Sequence, residues 1–398
     1  MTQYDFETLV RREGVGSAKW DSMMKIAASP GEDVIPFSGG EMEFVTAPPI
    51  AEALRQAVDS MILGNMEPDE AYGEALGNWM KKRHGFAPKP EWIVNVRSVA
   101  EAINLAIKAY TEAGEGILLL TPHSREIGAL VAGSGRKAVE CALLRRNISY
   151  EIDFEDFEKK VKSGEVRLFL LCNPHTPVAR VWKKKELERL GKICLENGVV
   201  VVSDESWLDL VMKGQRHWIF AAVAESFLNN CVICTTPGVT FNIGGLEIAN
   251  VFIPGSRLRK LFRQTYESVL LQNPRCNILS YIASRRAWEK CEDWLEQALK
   301  VIERNKNLIA EFLQLELPQL KLMDFEGTYH LWLNCKGLGL DYKELERLNK
   351  TKARLFFTEG YTYGEQGESF ERWNIACPTR IIEGALHRMK GVYKKYAR

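Results

Sequence analysis

Five short apolar runs divide the middle of this chain, and their spacing limits what it can fold into. They are Ile117-Leu118-Leu119-Leu120, Leu168-Phe169-Leu170-Leu171-Cys172, Val199-Val200-Val201-Val202, Val232-Ile233-Cys234 and Val251-Phe252-Ile253. Each is too short for a helix, is bounded by turn residues and carries no polar alternation, which is the signature of a strand buried on both faces. Between them run stretches such as Lys185 to Asn197, with apolar residues at helical spacing and Glu and Lys outward. The alternation predicts an α/β fold, a mostly parallel sheet with helices on both sides. From about Ala283 the pattern changes. A long charged helix through Trp288, Trp294 and Leu308 is expected, then a strand at His330-Leu331-Trp332-Leu333 and a last helix over 382–396. This layout predicts an N-terminal segment over 1–45 packing on the small domain, a large domain over 46–282 and a small α+β domain over 283–398.

Charge narrows the class of partner. The net formal charge of +1 and the lack of a long Lys/Arg run argue against nucleic acid and against an anionic membrane surface. No apolar stretch approaches bilayer length, and Met1 to Glu7 has neither the basic nor the apolar block of a signal peptide. Nine scattered cysteines, an odd number, suit a reducing cytoplasm, where the chain is expected to reside. Cys231 and Cys234 have CxxC spacing but sit in a β-branched run, so a buried structural strand is expected there. The six histidines lack metal-ligand spacing, so no metal is expected, and neither Gly39-Gly40 nor Gly244-Gly245 makes a nucleotide fingerprint.

Several longer motifs follow one another in a telling order. They are Met42-Glu43-Phe44 with Ala47-Pro48-Pro49-Ile50, Arg83-His84-Gly85 before Pro90-Glu91-Trp92-Ile93, Cys172-Asn173-Pro174-His175 and Ser203-Asp204-Glu205. Gly360-Tyr361-Thr362-Tyr363-Gly364-Glu365 and Arg372-Trp373-Asn374-Ile375-Ala376-Cys377-Pro378 complete the series. From about Val34 onward the chain resembles the PatB/MalY-type, cystathionine β-lyase-like branch of the class I/II aminotransferases, pyridoxal-phosphate (PLP) enzymes of fold type I. The resemblance implies a mixed, mostly parallel seven-stranded sheet between helices, a smaller C-terminal α+β domain, and a dimer with active sites at the subunit boundary. It implies that Asp204 would pair with the pyridine nitrogen and keep it protonated. A strand-end Asp capping the next turn is the alternative. It also implies that Arg372 would take a substrate carboxylate with its planar fork, the alternative being a structural ion pair.

Against the same family, the departures fall on cofactor contacts. In Thr236-Pro237-Gly238-Val239-Thr240-Phe241-Asn242, Val239 stands where the family's Schiff-base lysine would be, and Gly238 where a serine would donate to phosphate. The phosphate turn reads Val96-Arg97-Ser98-Val99, the ring-stacking aromatic corresponds to Ser124, and the partner of the phenolic oxygen to Thr176. Ser206-Trp207 replaces the usual Ile-His, and the segment bearing a tyrosine for the neighbouring subunit's phosphate is shortened in Gly64-Asn65-Met66-Glu67-Pro68. Each lost charge-assisted phosphate bond costs about 1.5–3 kcal/mol. The expectation is therefore a chain without cofactor. It would be repurposed as a PLP-independent enzyme on an amino-acid-derived or carboxylate-bearing small molecule. Arg97, His123, Ser124, Arg125, Thr176, Ser206, Trp207, Val239 and Glu247 are expected to line the old pocket, with His123, Arg97 or Arg125 giving acid–base or electrostatic help. In another arrangement Arg97 or Arg125 folds inward, pairs with Asp204 and plugs the site. A pseudoenzyme that binds a ligand, or pairs as a heterodimer with an active homologue instead of forming a homodimer, is the competing class. Non-covalent use of PLP or its amine form is a third.

Overall fold

The computed structural model describes residues 2–396 apart from 28, 30, 61, 65 and 270–275. The main sheet has seven strands: β1 (Ile93–Val96), β2 (Gly116–Thr121), β3 (Lys137–Ala142), β4 (Val166–Cys172), β5 (Val200–Asp204), β6 (Cys231–Thr235) and β7 (Ala249–Phe252). Their spatial order is β1-β7-β6-β5-β4-β2-β3. Strand β7 is antiparallel to both neighbours and every other pairing is parallel. The five apolar runs are the five central strands, as expected. The edges are different. β3 buries only Cys141 fully and exposes Lys137 and Glu140, a charged rim that discourages edge pairing and hides the strand from a search for apolar runs.

The helices needed below are α1 (Ala18–Ile26), α2 (Pro48–Ser60), α3 (Glu70–His84), α4 (Val99–Tyr110), α5 (Arg125–Gly133), α6 (Lys184–Glu196), α7 (Pro237–Thr240), α8 (Ser256–Val269), α9 (Ile278–Lys290), α10 (Glu292–Glu316) and α11 (Thr379–Tyr393). On one sheet face, α4 and α8 bury Ile103, Ile107, Leu258 and Phe262 against Val96, Leu119 and Val202. On the other, α6 contributes Leu187, Leu190 and Ile193 to a core that continues into the C-terminal part. There a second sheet, β8 (Lys321–Leu322), β9 (His330–Asn334), β10 (Thr358–Glu359) and β11 (Phe370–Asn374), is antiparallel throughout, in the order β8-β9-β11-β10.

The long charged helix expected from Ala283 is two helices. Cys291, at φ −117° and ψ 17°, breaks the run between α9 and α10. α9 packs on α2 and α3, while α10 packs on α11. The last helix runs over Thr379–Tyr393, three residues earlier than the pattern placed it, and a short tight turn follows. Among the described residues no helix is long and apolar enough to cross a membrane. Cys231 and Cys234 are buried in β6, as read, and no group of metal-binding side chains is found among the described residues.

Candidate active site

Residues just past the carboxyl ends of β5 and β6, Ser206 and Thr236, line one crevice, the usual place for a ligand in such sheets. After β6 the chain turns at once into α7. Thr236 Oγ1 accepts from Gly238 N at 3.0 Å and donates to Ile248 O at 2.7 Å. Gly238 packs so closely that a Cβ there would lie 3.0 Å from Gly244 Cα and 3.0 Å from Thr236 Oγ1. A serine side chain at 238 would have no room without a shift of this turn. Val239 follows, half-buried, on the wall of a 380 Å³ pocket shared with Gly40, Arg97, Ser98, Ser206 and Glu247. No lysine is among the described residues lining it.

Asp204 ends β5 at this crevice. Its Oδ1 accepts from Ser206 N at 3.0 Å and from Ser206 Oγ at 2.5 Å, and no cation pairs with it among the described residues. Burial pushes the carboxyl above the usual range, and the Ser206 bonds only partly oppose this. Beyond β4, Thr176 Oγ1 and Asn173 Oδ1 are buried without a partner. His175 between them is a structural group. Its Nε2 lies 3.0 Å from Pro122 O, and burial pushes it down to about 4.

Arg372 enters from β11. Its Nη2 donates to Gly39 O at 3.0 Å and to Thr358 Oγ1 at 3.1 Å, its guanidinium lies 5.5 Å from the centroid of the Tyr363 ring, and its Nε is buried without a partner. No carboxylate is in salt-bridge reach of it among the described residues. Trp207 packs its ring 4.9 Å from Tyr329 and 5.0 Å from His330. His330 was not singled out by sequence reasoning, because it lies within a strand-like run. It is fully buried, Nε2 3.1 Å from Gly39 O and Nδ1 unpartnered, and burial followed by the Arg372 charge pushes it well below the ordinary range.

The residues expected in one pocket divide into two. Arg97, Ser206, Val239 and Glu247 share the 380 Å³ pocket. His123 and Arg125 line a separate 820 Å³ pocket with Thr121, Glu140, Tyr361 and Tyr363. The cause is local: Ser124 caps α5, accepting from Ile127 N at 3.4 Å, and so sends its flanking residues along the helix start. Arg97 does not plug the site. It folds back on Glu101, Nη2 to Oε1 at 2.7 Å, and leaves Asp204 alone. Of the shortened Gly64–Pro68 segment, Asn65 lies outside the described residues. His84, at the end of α3, bonds Asp209 at 2.8 Å and is structural, as expected.

Residues 32–380 match the family described as aminotransferase class I and II. Cystathionine beta-lyase PatB of Bacillus subtilis is 34% identical over 386 residues, spanning 97% of this chain and 99% of its own. Protein MalY of Escherichia coli is 28% identical over 386 residues, spanning 96% of each. The crystal structure of cystalysin from Treponema denticola, which contains a pyridoxal 5'-phosphate cofactor, superposes with a TM-score of 0.96 at 34% identity, covering 99% of this chain and 100% of that one. The fold is the expected fold type I. The expectation of no cofactor is overturned by the same likeness, because a protein of this fold over its whole length carries PLP.

Proposed function

This chain belongs to the aminotransferase class I and II family, and on that premise we propose that it is a PLP-dependent lyase or aminotransferase acting on an amino acid. In this reading the cofactor is held without a covalent bond at position 239. The observation behind it is Asp204, a carboxylate whose burial disfavours its charge and which has no cation partner among the described residues, two residues before Ser206 on the pocket wall. Keeping such a charge unpaired costs stability, and a protonated ring nitrogen is the partner it fits. Thr176 Oγ1, also unpartnered, fits a ring oxygen. The leading N–H groups of α4 that the Ser98 cap does not take fit a phosphate, and Arg97 would leave Glu101 to join them. Val239 has no amine to fit an aldehyde.

When bound, the cofactor supplies an electron sink for bond cleavage at an amino acid's α-carbon. Ser206 keeps Asp204 oriented through its two bonds to Oδ1. Arg372 takes the α-carboxylate, its Nε free to donate. Proton movement falls to the groups lining the pocket, of which Glu41 and Glu247 carry carboxylates able to accept. A homodimer would cover the exposed apolar stretch of Val58 (54% exposed), Ile62 (91%) and Leu63 (55%). Val239 itself favours a second reading, binding without turnover.

Titration with PLP and with its amine form, followed by visible absorption and calorimetry, tests the assignment. Saturable binding that dialysis reverses is expected, at least about tenfold weaker in Asp204→Asn, the loss of one charge-assisted bond or more. Val239→Lys should hold colour through dialysis. Absence of any spectral change or heat with either form would remove the cofactor from this site. Binding with no turnover of any amino acid would favour the second reading.

A further inference from the structure

The Gly39 carbonyl is a hub. Arg372 Nη2, His330 Nε2 and Asn374 Nδ2 approach it at 3.0, 3.1 and 3.4 Å. Its residue sits at φ +75°, where glycine is favoured. The next four residues are gripped from three directions. Asn242, three positions beyond Val239, accepts from Met42 N at 3.0 Å and donates to Met42 O at 3.2 Å and Phe44 O at 3.0 Å. From beyond β11, Ala376 O accepts from Glu43 N at 2.8 Å. From the N-terminal segment comes a buried lysine. Lys19, its side chain 7% exposed, donates to Glu41 O at 2.8 Å and meets Glu43 Oε1 at 2.6 Å. Its Cδ would lie 3.2 Å from a Cβ placed on Gly39. Arg12 and Trp20 also donate to Glu43, at 2.9 and 3.2 Å.

We propose that Lys19 is a positioning residue for carboxylate recognition: it locks the Gly39–Glu43 segment in place, and that segment aims Arg372. The proposal rests on the reading of Arg372 given above. Lys19 touches none of the reacting side chains assigned there, its bond to Glu41 being to the backbone carbonyl. Its stem packs on the backbone at Gly39, while its ammonium holds the backbone at Glu41 and the side chain at Glu43. Arg12 and Trp20 keep Glu43 paired when Lys19 is removed, so the carboxylate is not stranded. What is lost is the fixed position of the carbonyls.

The full chain, saturated with PLP, is titrated with L-alanine and with L-alaninamide, which lacks the carboxylate. The parent should prefer L-alanine. In Lys19→Met that preference should fall about tenfold or more, in line with the cost of misplacing a positioned group, while PLP affinity changes less than about twofold. Amide exchange over residues 37–44 should quicken in parallel. General loosening of the fold would weaken both ligands and PLP together. An unchanged preference with unchanged exchange over 37–44 overturns the proposal. A parent with no preference for the carboxylate defeats the Arg372 reading, and exchange over 37–44 and 370–374 then decides the lock by itself. Should Lys19→Met fail to fold, Lys19→Gln carries the same comparison.

Discussion

Asp204 and Asp209 bracket a single turn after β5, and burial disfavours charge on both. Their surroundings then diverge. Asp209 accepts from Trp79 Nε1 at 3.2 Å, His84 Nε2 at 2.8 Å and Thr240 Oγ1 at 3.0 Å, and pairs with Arg83 Nε at 3.2 Å. These partners, His84 foremost, outweigh burial and hold its carboxyl below the usual range. Asp204 has Ser206 alone, and burial pushes it up. Glu205 sides with Asp209, accepting from Ser203 Oγ at 2.8 Å, His217 Nε2 at 2.8 Å and Phe220 N at 2.9 Å. The chain satisfies the carboxylates on the packed side of this turn from its own resources. It leaves Asp204 short of donors among the described residues, the shortage on which the proposed ligand site rests.

The largest effect that would test this contrast is Asp209→Ala. Removing an acceptor shared by a buried arginine and histidine should cost about 3–5 kcal/mol, read by chemical denaturation. Asp204→Asn should do the opposite in the ligand-free protein. Its pKa is raised by folding, so the charged carboxylate costs stability once pH rises through the folded pKa, and that cost is absent below the unfolded value. The variant should therefore gain about 1 kcal/mol near neutral pH, with the gain vanishing toward acid. A loss at neutral pH would mean that Asp204 has a hidden cation partner. The smallest effect is expected at the second pocket. His123→Ala and Arg125→Ala should change stability by less than about 0.5 kcal/mol and leave PLP affinity unchanged. Weakened binding in either would mean that the two pockets work as one.

Much of the fold could be read directly, because central strands are buried on both faces and so appear as unbroken apolar runs. β3 escaped, since five of its six residues are not fully buried. The break at Cys291 escaped too, because neither glycine nor proline marks it. At the site, Asp204 stands at the end of β5 and Arg372 in the middle of β11, both inside motifs that name them as candidates. His123 and Arg125 open on a second pocket because Ser124, read as standing in for a stacking ring, caps the helix that follows. The cofactor expectation failed for a related reason. It counted absent side chains and gave no weight to an unpaired carboxylate and an unpartnered hydroxyl, whose isolation only coordinates reveal. Lys19 carries no mark in the sequence, since Glu43 and Gly39 lie some twenty residues away.

The hub at Gly39 bears on how this protein is made. The strands of the seven-stranded sheet all lie within residues 93–252, so every one of them is present once the ribosome has extruded that stretch. The Gly39 carbonyl, by contrast, waits for donors at 330, 372 and 374, and Glu43 N waits for the acceptor at Ala376. These are among the longest-range contacts in the chain, and such contacts form slowly. A nascent or truncated chain ending before about residue 370 would thus carry the crevice with Asp204 and Val239 but lack the arginine proposed to read a carboxylate. On that reading, carboxylate recognition would come late in synthesis, well after the sheet's strands.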